Sequence, residues 1–189
     1  MILYSRVSVA PGSEPITLSE AKAFLKVDGT DEDALIGSLI SVARQVCETY
    51  AGLSFAAQTR VVKLDRFPCR DVILPYGPVN TITSIAYVDE DEAPQTITSG
   101  YTLDTQSGLS KIRITERWPS TNRVMNNVVI TYTTGYASVP EVVKHAIKMT
   151  LGTLYENRQD EIVGTSSQVL SWNSQSLLDT VKVYWDAEV

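Results

Sequence analysis

Few side chains in this sequence have the types and spacing that catalysis needs. His145 is the only histidine, and it lies between Lys144 and Ala146 in a helical pattern. Nucleophilic catalysis requires a base beside its nucleophile, so we interpret His145 as a solvated or partly packed helix residue. Cys47, Cys69 and one histidine do not supply the four ligands of a zinc site. Glycine-rich phosphate loops of the common patterns are also missing.

Carboxylates are the remaining candidates for chemistry. Two of Asp65, Asp71, Asp104 and Glu116 would act in hydrolysis if they converged in a pocket with one displaced pKa, so a carboxylate hydrolase stays open as a hypothesis. The block Asp89–Glu92 resembles a cation site, but hard-cation loops space their oxygen ligands apart. We interpret it as a solvated hairpin tip. We predict no metal, no cofactor and no enzymatic activity.

The composition is that of a soluble globular protein. The chain has 189 residues, 43% of them hydrophobic and 20% charged, which fits one domain or two small ones. No apolar run approaches the roughly 20 residues of a membrane span, and the start lacks the pattern of a secretory signal. Two cysteines without a disulfide framework indicate a reducing cytoplasm. We therefore predict no membrane partner.

The net charge of −6 is unevenly distributed along the chain. Residues 1–57 and 137–189 carry −3 each, and residues 58–136 are neutral. Proteins that grip nucleic acid neutralise phosphates with clustered lysine and arginine, which this balance does not provide. A surface that DNA passes without sticking remains compatible with the charge, because like charges repel.

The longest helical pattern runs from Thr30 to Gly52. Its apolar residues recur every three or four positions, which predicts one buried stripe. Thr30 and Asp33 are expected to cap its start, and Gly52 to end it. The predicted stripe comprises Leu35, Ile36, Leu39, Ile40, Ala43, Val46, Cys47 and Tyr50, with Asp33, Ser38, Ser41, Arg44, Gln45 and Glu48 on the opposite side.

Three further helices are predicted around it. A capping-box pattern, Thr17–Glu20, opens a short helix that ends near Lys26. A second helix is predicted to begin at Pro140, where helical periodicity returns. The segment Gln159–Asn173 has the composition of a flexible linker. A last amphipathic helix is predicted at about Ser176–Trp185. This last helix either folds back onto the protein's own core or anchors another chain, because Trp and Tyr are enriched at interface hot spots.

The middle of the chain has the texture of a β domain. Short β-branched segments alternate with turn signals, which predicts five or six mostly antiparallel strands. The predicted strands are Thr59–Leu64, Asp71–Leu74, Ile82–Val88, Tyr101–Leu103, Lys111–Thr115 and Val128–Thr133. The expected fold is therefore α+β: a small helical bundle from residues 1–57 and 137–189, with a flexible segment from about 159, and a β insertion at 58–136.

An ordered set of short motifs resembles one known family. The motifs are Pro15–Asp28, Thr30–Ile36, Glu48–Gly52, Leu74–Pro75, Pro78–Val79, Ile130–Tyr136, Val139–Pro140 and Leu154–Arg158. In this order they resemble the tailed-bacteriophage head–tail connector proteins, the adaptor or head-completion family, in a longer form with a β insertion.

The resemblance implies a structural role in the virion neck, after assembly in the bacterial host cytoplasm. Family members form a ring, expected to be dodecameric, on the portal protein. The ring extends the DNA channel without binding DNA specifically and docks a stopper or tail-completion protein. Glu156 and Arg158 are implied to make inter-subunit salt bridges, and the C-terminal segment with Trp172, Leu177, Tyr184 and Trp185 to contact the portal.

A third hypothesis is a β-domain ligand-binding module of the carbohydrate-binding type, with the helices as a dimerisation stalk. Such a module needs exposed aromatic side chains to stack on its ligand. On the β segment only Trp118, Tyr87, Tyr101 and Tyr132 are available.

Overall fold

The computed structural model describes residues 4–69, 71–105, 109–122, 124–157 and 172–183. They form an α+β fold with four helices and two antiparallel sheets, as the sequence predicts. The chain divides into two compact units. The β unit contains the N-terminal strand and Ala57–Tyr136, and the helical unit contains Ser13–Ala56 and Ala137–Lys182.

The helical unit is built from four helices. They are α1 (Leu18–Leu25), α2 (Asp33–Ala51), α3 (Glu141–Glu156) and α4 (Trp172–Asp179). Helix α2 packs on each of the others. Its buried residues recur at helical spacing, as Ile36, Ile40, Ala43 and Cys47 show. The core closes on fully buried Val143, Ile147 and Leu151 of α3 and Leu178 of α4.

Local chemistry sets the helix ends. Thr17 and Glu20 form the predicted capping box, since each side chain bonds the other residue's backbone N–H. Gly52 ends α2 in the left-handed conformation at φ 68°, also as predicted. The start of α2 differs from the prediction: Glu32 is the N-cap residue, and no side chain caps it. The Asp33 carboxylate instead accepts a hydrogen bond from Lys22 Nζ at 2.6 Å.

The β unit consists of two sheets with a shared core. Its strands are β1 (Tyr4–Val9), β2 (Gln58–Leu64), β3 (Val72–Leu74), β4 (Val79–Val88), β5 (Pro94–Ile97), β6 (Tyr101–Asp104), β7 (Ser110–Ile114) and β8 (Val128–Thr134). The larger sheet has the order β1-β2-β8-β4-β5, and the smaller has β3-β7-β6. Burial alternates strictly along β8. Side chains of both sheets, including Ile85, Ile112 and Ile130, meet in one cluster.

The six predicted strands are all present, and two more were missed. The first is β1, which pairs with β2. The second is β5, which starts at Pro94, two residues after the block interpreted as a hairpin tip. Both are edge strands with mostly exposed side chains, so neither carries the hydrophobic alternation by which strands are recognised.

The predicted bounds of the last helix are wrong. It begins at Trp172, inside the segment interpreted as a linker, and ends at Asp179 instead of continuing to Trp185. It packs on α2 and α3 with Leu178 completely buried. Tyr50 Oη donates to the Asp179 carboxylate at 2.9 Å, and Lys182 Nζ lies 4.0 Å above the Tyr50 ring. Helix α4 therefore folds back onto its own core. No helix among the described residues is both long and apolar enough to cross a membrane.

Candidate assembly surfaces

Two charged residues of α2 that were predicted to lie on the solvent side are buried. Arg44 is 5% exposed and Glu48 is 4% exposed. Arg44 Nη1 donates to Glu48 Oε2 at 2.8 Å, and Arg44 Nε donates to Glu14 Oε2 at 2.7 Å. Burial disfavours the charged guanidinium, but hydrogen bonds and attraction from Glu14 and Glu48 outweigh it and raise the pKa of Arg44.

The same carboxylate also organises the chain beyond α2. Glu48 Oε1 accepts hydrogen bonds from the backbone N–H groups of Phe55, at 2.7 Å, and Ala56, at 3.4 Å. Glu48 thus pairs with Arg44 and also binds the backbone of the segment that follows α2. Unpaired buried charges are costly, so these contacts hold α2 in one rotational setting.

This rotational setting leaves apolar side chains of α2 exposed. Leu35 and Val42 are 38% and 43% exposed, and Leu39 and Val46 are half-buried. We name these four residues the outer stripe of α2. The prediction that Leu35 lies in the core is therefore wrong. The outer stripe has spacings of four, three and four residues, the pattern with which one helix packs along another.

A shallow groove continues the outer stripe toward the end of α2. Its volume is about 440 Å³, and it is lined by Val42, Gln45, Val46, Thr49 and Tyr50. Gln45 and Thr49 stand exposed beside the apolar residues. The exposed side of α2 thus combines apolar anchors with polar neighbours, which is typical of protein interfaces.

The predicted partner-binding residues are only partly described by the structure. Glu156 is exposed at the last position of α3, and Leu177 is half-buried on α4. Trp172 is the first residue of α4, but its side chain is not described. Arg158, Tyr184 and Trp185 lie outside the described residues.

The β unit contains a half-open cleft of about 800 Å³. Three exposed arginines, Arg66, Arg113 and Arg117, line it, and we name it the arginine cleft. The rings of Phe67 and Trp118, which also line it, are stacked with centroids 4.5 Å apart and 6° between their planes. Sequence reasoning missed this site because Arg66 follows β2, whereas Arg113 lies on β7 and Arg117 follows it, so that they meet only after the sheets form.

One of the three arginines is already paired. Arg113 donates to both carboxylate oxygens of Asp71, at 2.9 and 2.6 Å, and the hydrogen bonds from Arg113 lower the pKa of Asp71. Asp71 is thereby accounted for as an ion-pair partner. Within the described part of the chain, Arg66 and Arg117 have no ion-pair partner. The cleft therefore offers two guanidinium groups to an acidic ligand, beside the exposed carboxylate of Glu116, which also lines it.

The block Asp89–Glu92 forms an exposed turn between β4 and β5, which we name the acidic turn. Asp89 holds it together by accepting hydrogen bonds from Asp91 N at 3.0 Å, Ala93 N at 2.9 Å and Gln95 Nε2 at 2.9 Å. The bond from Gln95 is the main cause of the lowered pKa of Asp89. Glu90, Asp91 and Glu92 are exposed.

The other candidates for chemistry, Cys47 and His145, contact neighbouring side chains. Cys47 is buried, which raises the pKa of its thiol to about 11 despite a 3.4 Å contact with Thr150 Oγ1. The His145 ring meets the edge of Phe24, with centroids 6.3 Å apart. Among the described residues there is no group of three or more histidine, cysteine or carboxylate side chains that could hold a metal.

Solved structures with the same fold come from gene transfer agent particles. One, from the neck of an empty particle computed with C6 symmetry, has a TM-score of 0.81 and 18% identity. Another, from the native virion, has a TM-score of 0.80, and one from the native neck computed with C12 symmetry has 0.77, both at 18% identity. Each match covers 100% of this chain and 99% of the other.

Sequence comparisons give a family. Curated proteins yield no match, but the model of the family described as "Head completion protein" matches residues 14–171. That range contains every motif on which the resemblance rests, and the resemblance is confirmed. The chain belongs to the head completion protein family, and its role is that of a structural head–tail connector.

Proposed function

We propose that this protein assembles as a ring on the portal at the neck of a virus-like particle, where it extends the DNA channel and docks a stopper or tail-completion protein. The observation that carries the proposal is the family match over residues 14–171. The full-length likeness to chains of particle necks solved with C6 and C12 symmetry supports a ring. In this role the protein is not an enzyme, and it assembles in the host cytoplasm.

The outer stripe of α2 is the surface through which neighbouring helical units pack in this proposal. Exposing Leu35 and Val42 to water is unfavourable, and a second copy would cover them. The buried Arg44–Glu48 pair fixes the helix that presents them, which lowers the ordering cost of association. Glu156, exposed at the end of α3, is proposed to pair with Arg158 of a neighbouring subunit.

The C-terminal segment is proposed to contact the portal. Leu177 is half-buried on α4 and is proposed to present part of its side chain to a partner, together with Trp172. Tyr184 and Trp185 would follow as aromatic anchors. The net charge of −6 supports a channel surface that repels DNA and does not hold it.

The packing of the aromatic residues argues against the carbohydrate-binding alternative. Tyr132 is completely buried, and Tyr87, Tyr101 and Trp118 are partly buried against the β core. Stacking on a sugar needs exposed ring faces. The four residues on which that hypothesis depends serve the core of the β unit.

The test is the native mass of the full chain, measured alone and after mixing with the portal protein of the same particle. We expect either a large ring or a monomer that becomes one on the portal. A monomer or dimer whose mass does not change when portal is added would overturn the proposal.

A further inference from the structure

We propose that the acidic turn of one subunit docks in the arginine cleft of a second copy of this chain, and so joins neighbouring β units head to tail. This inference rests on the ring of the proposed function and adds a specific contact to it. The acidic turn is Asp89–Glu92, and the cleft is lined by Arg66, Arg113 and Arg117.

The first argument is charge complementarity. Because Asp89 is used to hold the turn, Glu90, Asp91 and Glu92 are the three carboxylates left to meet a partner. The cleft offers Arg66 and Arg117, which have no ion-pair partner in the described part of the chain. Arginine and carboxylate match as two-pronged hydrogen-bonding groups. Among the described residues, the two free arginines of the cleft outnumber its one carboxylate outside an ion pair, Glu116, so the cleft favours an acidic partner.

The second argument is the position of the two surfaces on the sheet. Leu64 at the end of β2 pairs with Val128, and Ala86 near the end of β4 pairs with Val129. The turns after β2 and β4 therefore leave the same end of the sheet, with β8 between them. Strands are about 4.8 Å apart, so the ends of β2 and β4 are offset by roughly 10 Å along the width of the sheet.

The two surfaces are separate patches at one end of the sheet, and the chain just after Thr121 of the cleft bonds the base of the acidic turn, Asn122 N to Val88 O at 3.1 Å. The acidic turn leads into β5, an edge of the sheet, and the cleft begins after β2, toward the other edge. A donor surface and an acceptor surface at different places on one subunit form a heterologous contact, which closes into a ring when the rotation allows. Within the described subunit none of the three carboxylates bonds Arg66 or Arg117.

The third argument is rigidity. Asn127 Oδ1 accepts from Val88 N at 2.7 Å, and Asn127 Nδ2 donates to Val88 O at 3.0 Å and Asn122 O at 2.6 Å. These bonds hold the base of the acidic turn. The stacked rings of Phe67 and Trp118 stiffen the cleft. Both surfaces are thus formed before they meet, which reduces the ordering cost of binding.

The cleft contains a native probe for this contact. Cys69 is exposed and lines the cleft. Cys47 is buried, and the raised pKa of its thiol keeps it unreactive. The test variant is Asp91→Cys, assembled on the portal and oxidised. One matched control is Asp91→Cys combined with Cys69→Ser. The other is Thr105→Cys, at an exposed position directly after β6, where Asp104 pairs with Lys111.

We expect Asp91→Cys to give a ladder of covalent multimers beyond the dimer, because each subunit then carries one thiol on each side of the contact. The controls should give no ladder. Rings of normal native mass without a ladder would overturn this inference and leave the proposed function standing. A ladder that stops at dimers would overturn the head-to-tail arrangement, and the absence of any ring in the wild type would overturn both proposals.

A charge exchange provides a second, independent measurement. Arg117→Glu and Glu90→Arg should each reduce the ring population, and the two substitutions together should restore much of it. Both positions are exposed, so the variants are expected to fold. Equal loss in the singles and the double variant would contradict direct pairing.

Discussion

At the scale of single residues, the buried Arg44–Glu48 pair is the feature with the largest energetic consequence. Glu48→Ala removes one of the two carboxylate partners of Arg44, which keeps Glu14, and the acceptor of two backbone N–H groups. We expect it to lower the free energy of unfolding by about 1–3 kcal/mol for each buried group that loses its hydrogen-bond partner. Chemical denaturation measures the change. Glu141→Ala, which breaks the Lys144 pair at an exposed site, is the control and should leave the midpoint nearly unchanged.

This pair also explains where sequence reasoning about α2 failed. The pattern of apolar residues correctly predicts the helix and its end at Gly52. It cannot show that Arg44 finds Glu14, 30 positions away, and becomes buried. Periodicity records side-chain polarity, whereas burial depends on partners elsewhere in the fold. The resulting rotation places Leu35 and Val42 outside, so the outer stripe could not be predicted.

Because the Cys47 thiol is buried, we expect the folded protein to lose stability at alkaline pH. In the folded protein burial raises the pKa of its thiol from 9.0 to about 11. Between these values the folded state holds a proton that the unfolded state has lost, so stability is full below pH 9 and falls as the pH rises toward 11. In a Cys69→Ser background, thermal unfolding from pH 8 to pH 11 should show this decline. The decline should be shallower in Cys47→Ala, and identical slopes would contradict the assignment.

At the scale of elements, the capping box of α1 is a local signal that the sequence predicts correctly. Thr17→Ala should cost about 1 kcal/mol. It should also bring the pKa of Glu20 part of the way back toward its ordinary value. The hydrogen bond from the backbone N–H of residue 17, the largest cause of the lowering, is kept, and the bond from the Thr17 hydroxyl, the second cause, is lost. Denaturation and an NMR titration of Glu20 measure the two effects. Thr30→Ala is the matched control, since no side chain caps α2, and it should change stability little.

The outer stripe of α2 yields a prediction about assembly. Val42→Asp introduces a charge at a position that is 43% exposed, so the subunit should fold normally while the ring is lost. Native mass and circular dichroism separate the two properties. Val7→Asp, on strand β1 at 44% exposure, is the control and should retain the ring. If Val42→Asp forms rings normally, the subunit contact does not lie on the outer stripe of α2.

At the scale of the whole molecule, the sequence correctly predicts an α+β fold but not every pairing between its strands. The β segment could be recognised because each inner strand repeats apolar and polar positions, as β8 does. The N-terminal strand could not be assigned to it, since only pairing with β2 brings Tyr4–Val9 into the sheet. Arg66, Arg113 and Arg117 likewise become one site only through the arrangement of β2, β3 and β7. Long-range pairing creates these features, and a single sequence does not display it.

The proposed portal anchor can be tested without removing any residue of α4, because Tyr184 and Trp185 follow that helix. A chain that ends at Val183 keeps Leu178, which is completely buried, but loses Tyr184 and Trp185. We expect it to keep α4 packed on the helical core and to bind portal more weakly in a pull-down. Leu178→Ala should instead lower the free energy of unfolding by about 2–5 kcal/mol. If the shortened chain binds portal as well as the wild type, the aromatic pair is not the anchor, and the contact must be sought on Trp172 and Leu177.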